Sequence, residues 1–223
     1  MVRGITNFKK RFQGHEEQYV IIGGTACDLI MENEELPFRA TKDIDLVLIV
    51  EALTAEFGET FWEFIKEAEY DHCNKSTGEA QFYRFTDPKS KEYPYMIEIF
   101  SRNPEMILLD DDARITPLPM EEEVSSLSAI LLNEAYYKLL KSGKKMIDGI
   151  SVLSAECLIP FKAKAWLDLT ERKAKGEKWT AEILKSIKTM FFDWHNYLNR
   201  KVNIWMMKCG GIWSSSFLRW RMK

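Results

Sequence analysis

The sequence predicts an α/β (α+β) chain: a small mixed β-sheet flanked by helices, followed by a C-terminal helical region. Two observations carry this. Short apolar or β-branched runs alternate with helically spaced apolar residues over roughly the first hundred positions. After an acidic, proline-bearing loop at 103–123 the pattern turns mainly helical. A third observation, a reversal of charge near Lys178, marks a further division. The expected organisation is a core at 1–125, a helical region at 126–178 and a tail of different character at 179–223. No internal repeat is visible.

In chain order, YVII at 19–22 is a short buried strand, stopped by Gly23-Gly24. Residues 25–34 carry helical spacing through Ala26, Leu29 and Ile30. IDLVLIV at 44–50 is a strand rich in β-branched residues. Phe57, Phe61, Phe64 and Ile65 give 54–70 an amphipathic helical pattern. Strands are expected at about 80–86 and at 95–101 (YMIEIFS), separated by the turn-rich DPKSKEYP. Helices are predicted at 132–142 and at 154–175, the latter opening on Ser154 as N-cap.

Composition narrows the class. The N-terminal segment has no apolar stretch of the secretory kind, and no apolar run approaches the ~18 residues of a membrane span. The four cysteines (Cys27, Cys73, Cys157, Cys209) form no C-x-x-C pair. They read as reduced thiols of a cytoplasmic protein, neither a disulfide frame nor a zinc site. The three histidines are dispersed without metal-ligand spacing. Asp110-Asp111-Asp112 and Glu121-Glu122-Glu123 read as solvated acidic runs.

The chemistry gathers around residues 23–50. In a strand, Asp43 and Asp45 project to one side while Ile44 turns to the core. Two carboxylates held so repel unless a cation lies between them, and a hard divalent ion (Mg²⁺, or Mn²⁺) suits their oxygens while keeping room for phosphate. Glu98 repeats the pattern, one acid within the apolar run Met96–Phe100. If the two strands are neighbours, Asp43, Asp45 and Glu98 make a three-carboxylate cluster for two metals. A strand-Gly23-Gly24-Thr25 turn opening a helix lets backbone N–H groups approach phosphate oxygens, and Thr25 adds a hydroxyl. A Gly-Gly turn or a D-x-D by itself is commonplace. Their order, with a later strand acid, points to an NTP bound through metal.

GGTA followed by a helix and Arg39-Ala40-Thr41-Lys42-Asp43-Ile44-Asp45-Leu46 resembles the polymerase-beta-type nucleotidyltransferase superfamily. Within it the chain is most similar to the AbiEii-type branch, matching R-x-[ST]-x-D-[IL]-D-[LF] at each specified position. The likeness is close over 19–50 and loose to about 175. It implies a nucleotidyltransferase with Asp43 and Asp45 as metal ligands, Glu98 as third acid, and Gly23, Gly24 and Thr25 around the phosphates. The stretch Leu158–Leu167 is similar to the helix that carries a basic residue to the nucleotide, and Lys162 is the matching position; Lys164 points elsewhere around the helix. A lone solvated lysine is the alternative reading of Lys162. Members of the branch include toxins of toxin–antitoxin and phage-defence systems, some adding nucleotides to tRNA ends. The resemblance therefore implies NTP, a tRNA or other RNA acceptor and a cognate antitoxin as partners, with no membrane. A non-catalytic binding protein of this fold and a small-molecule, antibiotic-type transferase are the other readings.

The tail breaks the pattern. Residues 1–178 carry 23 Lys and Arg against 32 Asp and Glu; residues 179–223 carry 8 against 2, and five of the seven tryptophans. The branch's closing motif, K-[HD]-x-x-D-[VIL]-[FY]-x-L, is absent after Lys178. With each codon boundary moved one base upstream, Trp179-Thr180 forces Asp, Met190-Phe191 forces Val and Trp194-His195 forces Ala. Permitted codons from Lys185 onward then spell KHKNDVFRLAQLL, which carries the motif. Residues 179–223 are therefore expected to be an out-of-frame product, which would leave catalysis impaired. A basic, aromatic RNA-binding tail is the rival reading.

Overall fold

The computed structural model describes residues 2–38, 41–72, 82–102, 115–117 and 128–174. The described elements are α1 (Ile5–Arg11), β1 (Tyr19–Ile22), α2 (Gly23–Asn33), β2 (Asp43–Leu48), α3 (Ala55–Glu67), β3 (Arg84–Thr86) and β4 (Met96–Ser101). They continue with β5 (Ile115–Pro117), β6 (Ser128–Leu131), α4 (Glu134–Gly143), β7 (Lys144–Ile147), β8 (Ile150–Leu153) and α5 (Ala155–Ala174). The fold is mixed α/β, as the alternation of patterns predicts. A 3₁₀ turn, Val50–Ala52, follows β2.

One eight-stranded sheet runs in the order β5-β6-β4-β2-β1-β8-β7, with β3 also on β4. The pair β1–β2 is antiparallel, whereas β2–β4, β1–β8 and β4–β6 are parallel. Strands β3 and β6 share the edge of β4, β3 opposite Met96–Glu98 and β6 opposite Phe100 and Ser101.

Helices α4 and α5 occupy most of the described residues beyond 123, but β6, β7 and β8, which were not expected there, belong to this same sheet. Ile150–Leu153 is buried throughout, between β1 and β7. A strand with both faces covered loses its period-2 signature and reads as an undifferentiated apolar run. The strand expected at 80–86 is confined, among the described residues, to Arg84–Thr86. Helix α2 begins at Gly23, two residues earlier than predicted, and α1 was not anticipated. The compact unit containing the sheet ends at Ala163. Residues 110–112, 121–123 and 179–223 lie outside the described residues, so their expected roles do too.

An aromatic core holds α1 and α3 to the sheet. Phe8 of α1 and Phe12, its C-cap, stack at 4.5 Å, Phe8 meets Tyr19 of β1 edge-on at 5.4 Å, and Phe12 meets Phe64 of α3 at 5.5 Å. Phe61 reaches Phe85 of β3 at 5.5 Å. All are fully buried, each contributing about 1.5–3 kcal/mol of apolar transfer. Helix α3 starts where Thr54 Oγ1 accepts the Phe57 N–H at 3.2 Å, and α4 where Asn133 Oδ1 accepts the Ala135 N–H at 2.9 Å. Both satisfy amides that a helix start leaves unpaired. Among the described residues, no helix is long and apolar enough to cross a membrane.

Candidate active site

Strand alternation sets the site. In β2, Ile44, Leu46 and Leu48 are fully buried toward the core, which turns Asp43 and Asp45 to the opposite face, each half-buried. The parallel register of β2 and β4 sets Asp45 beside Glu98 and Asp43 beside Met96. Directly paired residues share a face, so Asp43, Asp45 and Glu98 stand together on it, on strands about 4.8 Å apart. The strand adjacency that the three-acid expectation required is present.

Chain reversal brings the glycines to the same place. Antiparallel pairing puts Ile22 opposite Asp45, so the first residue after β1 arrives at that carboxylate. Gly23 has φ +72°, and a Cβ there would fall 1.7 Å from Asp45 Oδ2. Only glycine combines that backbone with that approach. At Gly24 a Cβ would come 2.9 Å from Thr41 Cγ2.

Thr25 departs from expectation. Its side chain is fully buried, its hydroxyl donates to the Asp43 carbonyl at 2.6 Å, and it lies 3.2 Å from Thr41 Oγ1. A hydroxyl has one proton, and this one is committed to the backbone. Thr25 thus pins the first turn of α2 to the start of β2 instead of offering a donor to phosphate.

Burial dominates the electrostatics of the site. Burial pushes the Asp45 carboxyl up to about 7; Lys162 of α5 opposes the shift, while Glu98 and Asp43 add to it. Burial also raises Asp43, helped by Glu98 and opposed by Lys42. Asp43 Oδ1 is buried without a hydrogen-bond partner in the structure, an arrangement that costs free energy unless something binds there. Lys162 is half-buried and its charge is felt at Asp45. The side chain of Lys164 lies outside the described residues.

Glu98 has a partner that sequence reasoning missed. Arg84, opposite it in the antiparallel β3–β4 register, directs both Nε and Nη2 to Glu98 Oε1 at 2.5 Å. The three acids therefore share a face, yet no group of three or more Asp, Glu, His or Cys side chains closes to metal-holding distance among the described residues. Asp43 and Asp45 fit a hard cation by donor type and by the unpartnered Oδ1; Glu98 is engaged elsewhere. Neither Cys27 nor Cys157 is disulfide-bonded, and His15 lies 2.9 Å from Gln18 Oε1. Cys73, Cys209 and His195 lie outside the described residues.

No protein-family model, no curated protein and no solved structure matches the chain.

Proposed function

We propose that the chain is a nucleotidyltransferase that moves a nucleoside monophosphate from an NTP to an acceptor hydroxyl or phosphate, with Mg²⁺ or Mn²⁺. The observation that carries the reading is the in-register pairing of Asp45 with Glu98, on one face with Asp43 and against the side-chain-free backbone of Gly23. A divalent cation held by Asp43 and Asp45, with Glu98 as third acid, would supply Lewis-acid charge to the triphosphate.

The chain's own groups divide the remaining work. Gly23 and Gly24 keep the start of α2 free of side chains, so a phosphate can approach backbone N–H groups at the positive helix end. Thr25 fixes that turn against Asp43. Lys162 supplies positive charge beside Asp45, suited to balance the departing pyrophosphate. The acceptor oxygen forms its bond to the α-phosphorus as the bond to the β-phosphate oxygen breaks, and the acceptor proton passes to water. The acceptor class proposed is RNA, tRNA by the resemblance, with a cognate antitoxin and a cytoplasmic location as parts of the same proposal.

A second reading is a protein of this fold that binds nucleotide without turnover. The Arg84–Glu98 pair favours it, since the third acid is held by another charge.

Labelled-NTP transfer with Mg²⁺, offered tRNA and aminoglycoside acceptors in parallel, tests both readings. Asp43→Ala and Asp45→Ala are each expected to reduce transfer at least about 100-fold. Transfer unaffected by both substitutions would sink the catalytic assignment. Nucleotide retention without transfer supports the second reading, and transfer to the aminoglycoside alone replaces RNA with a small-molecule acceptor.

A further inference from the structure

We propose that Arg84 is the site's resident counter-ion, holding Glu98 in the metal-free protein and exchanging it for a nucleotide phosphate when a divalent cation takes the carboxylate. The inference rests on the nucleotidyltransferase reading and assigns a positioning residue that the family-like motifs do not contain.

Three observations support the exchange. First, the pairing is built by the sheet: Arg84 and Glu98 are register partners, so both side chains rise from the same face as Asp43 and Asp45. Second, the pair is asymmetric in its access to water. The Glu98 side chain is 14% exposed and that of Arg84 is 45% exposed, so the guanidinium can swing outward while the carboxylate stays at the site. Third, both guanidinium donors fall on a single oxygen, Oε1. Neither donor occupies Oε2, so a cation first meets that oxygen, and one that takes Glu98 through both oxygens displaces the fork from Oε1.

Charge balance gives the exchange its direction. Three carboxylates, Asp43, Asp45 and Glu98, share this face, and Arg84 is paired with one of them. A divalent ion relieves this better than one exposed monovalent group. The arriving triphosphate then offers the displaced guanidinium a planar match for its donors, which an ammonium lacks.

The test uses the full chain, with Mn²⁺ alone as one probe and inorganic tripolyphosphate with Mg²⁺ as a base-independent second probe. Arg84→Ala is expected to bind Mn²⁺ about three- to fivefold tighter than the unsubstituted chain, the scale of an exposed ion pair removed as competitor. The same variant is expected to bind tripolyphosphate about tenfold weaker. Arg84→Lys, which keeps charge without the fork, falls between on both measures. In a Glu98→Gln background, Arg84→Ala no longer improves Mn²⁺ binding. A purely structural role for Arg84 predicts the opposite sign, with Mn²⁺ affinity unchanged or lower in folded Arg84→Ala; that result overturns the exchange and leaves the transferase reading intact. Folded chains that bind no Mn²⁺ with or without Arg84 overturn both.

Discussion

Burial and two carboxylate neighbours set the Asp45 carboxyl near 7 in the folded chain, against about 3.9 when unfolded. Between those values the folded state holds more protons, so stability declines as pH rises through this window. Asp45→Asn removes the penalty. At pH 8 and without divalent ions it is expected to raise the unfolding midpoint by about 4–8 °C, the equivalent of about 2 kcal/mol at this chain length. Mg²⁺ should raise the midpoint of the unsubstituted chain and leave that of the variant unmoved, since a ligand stabilises only the state that binds it. Scanning fluorimetry at pH 8 with and without Mg²⁺ checks both; a variant melting below its parent contradicts the account. Gly23→Ala tests the neighbouring backbone. With φ +72° and 1.7 Å to Asp45 Oδ2, it is expected to cost at least about 1–2 kcal/mol in urea denaturation and to weaken Mn²⁺ binding. Much of this site was legible. Alternation alone puts Asp43 and Asp45 on one face, and the glycine pair marks the close approach. Arg84 was not legible, because its meeting with Glu98 depends on an antiparallel register that no local pattern encodes. The partners of the Thr25 hydroxyl were not legible for a similar reason: Asp43 and Thr41 lie 18 and 16 residues away.

The 3₁₀ turn after β2 is tied to α4 and to the end of β4 through one acid. The Val50 N–H donates to Tyr137 Oη at 3.0 Å, and the Tyr137 hydroxyl donates to Glu51 Oε2 at 2.7 Å. Lys141 Nζ and Arg102 Nη2 donate to Glu51 Oε1 at 3.1 and 3.3 Å. Burial works against the Glu51 charge, but the Tyr137 hydrogen bond, the residue's own backbone and Lys141 outweigh it and hold the carboxyl down to about 2. Because the folded value is depressed, the contribution is full above about pH 4.5 and is lost as pH falls toward 2. Glu51→Gln is expected to lower the urea midpoint at pH 6, with the gap closing progressively below pH 4.5. An equal gap at pH 6 and pH 3 would mean the ion pairs contribute nothing. Elements with one buried face were readable here: α3, α4 and α5 begin within about two residues of their expected starts. The β7–β8 hairpin was missed despite Asp148-Gly149, both at positive φ (46° and 72°), a strong two-residue turn signal. Its second strand is uniformly buried and so lacks the alternation that marks a half-buried strand. Ile5, Phe8 and the C-cap Phe12 stand at helical spacing, but the seven residues of α1 are too few for periodicity to stand out before the aromatic core they join is known.

At the scale of the whole chain, the described site supplies acids, glycines and Lys162 from residues before 163, and the charge of the sequence reverses only after 178. The closing K-[HD]-x-x-D motif that the proposed resemblance calls for is absent from 179–223 as written. The frameshift reading explains the basic excess and the tryptophans by one event, because TGG and ATG codons read one base upstream become G-initial codons for Asp, Val, Ala and Glu. It makes a direct prediction. Moving the frame by one base after codon 178 turns Trp205-Met206-Met207-Lys208 into Asp-Asp-Glu and writes KHKNDVFRLAQLL across 185–197. The repaired chain is expected to transfer labelled nucleotide at least about tenfold faster than the chain as it stands, the scale of a lost charged contact to the reacting phosphates. It should also lose any affinity for single-stranded RNA that the basic tail confers. The rival reading predicts the reverse: RNA binding that weakens steeply with salt, through Lys and Arg contacts to phosphate and stacking on tryptophan, and no gain in transfer on repair. Assaying both chains side by side, together with the source DNA around codon 178, separates an RNA-binding tail from a broken one.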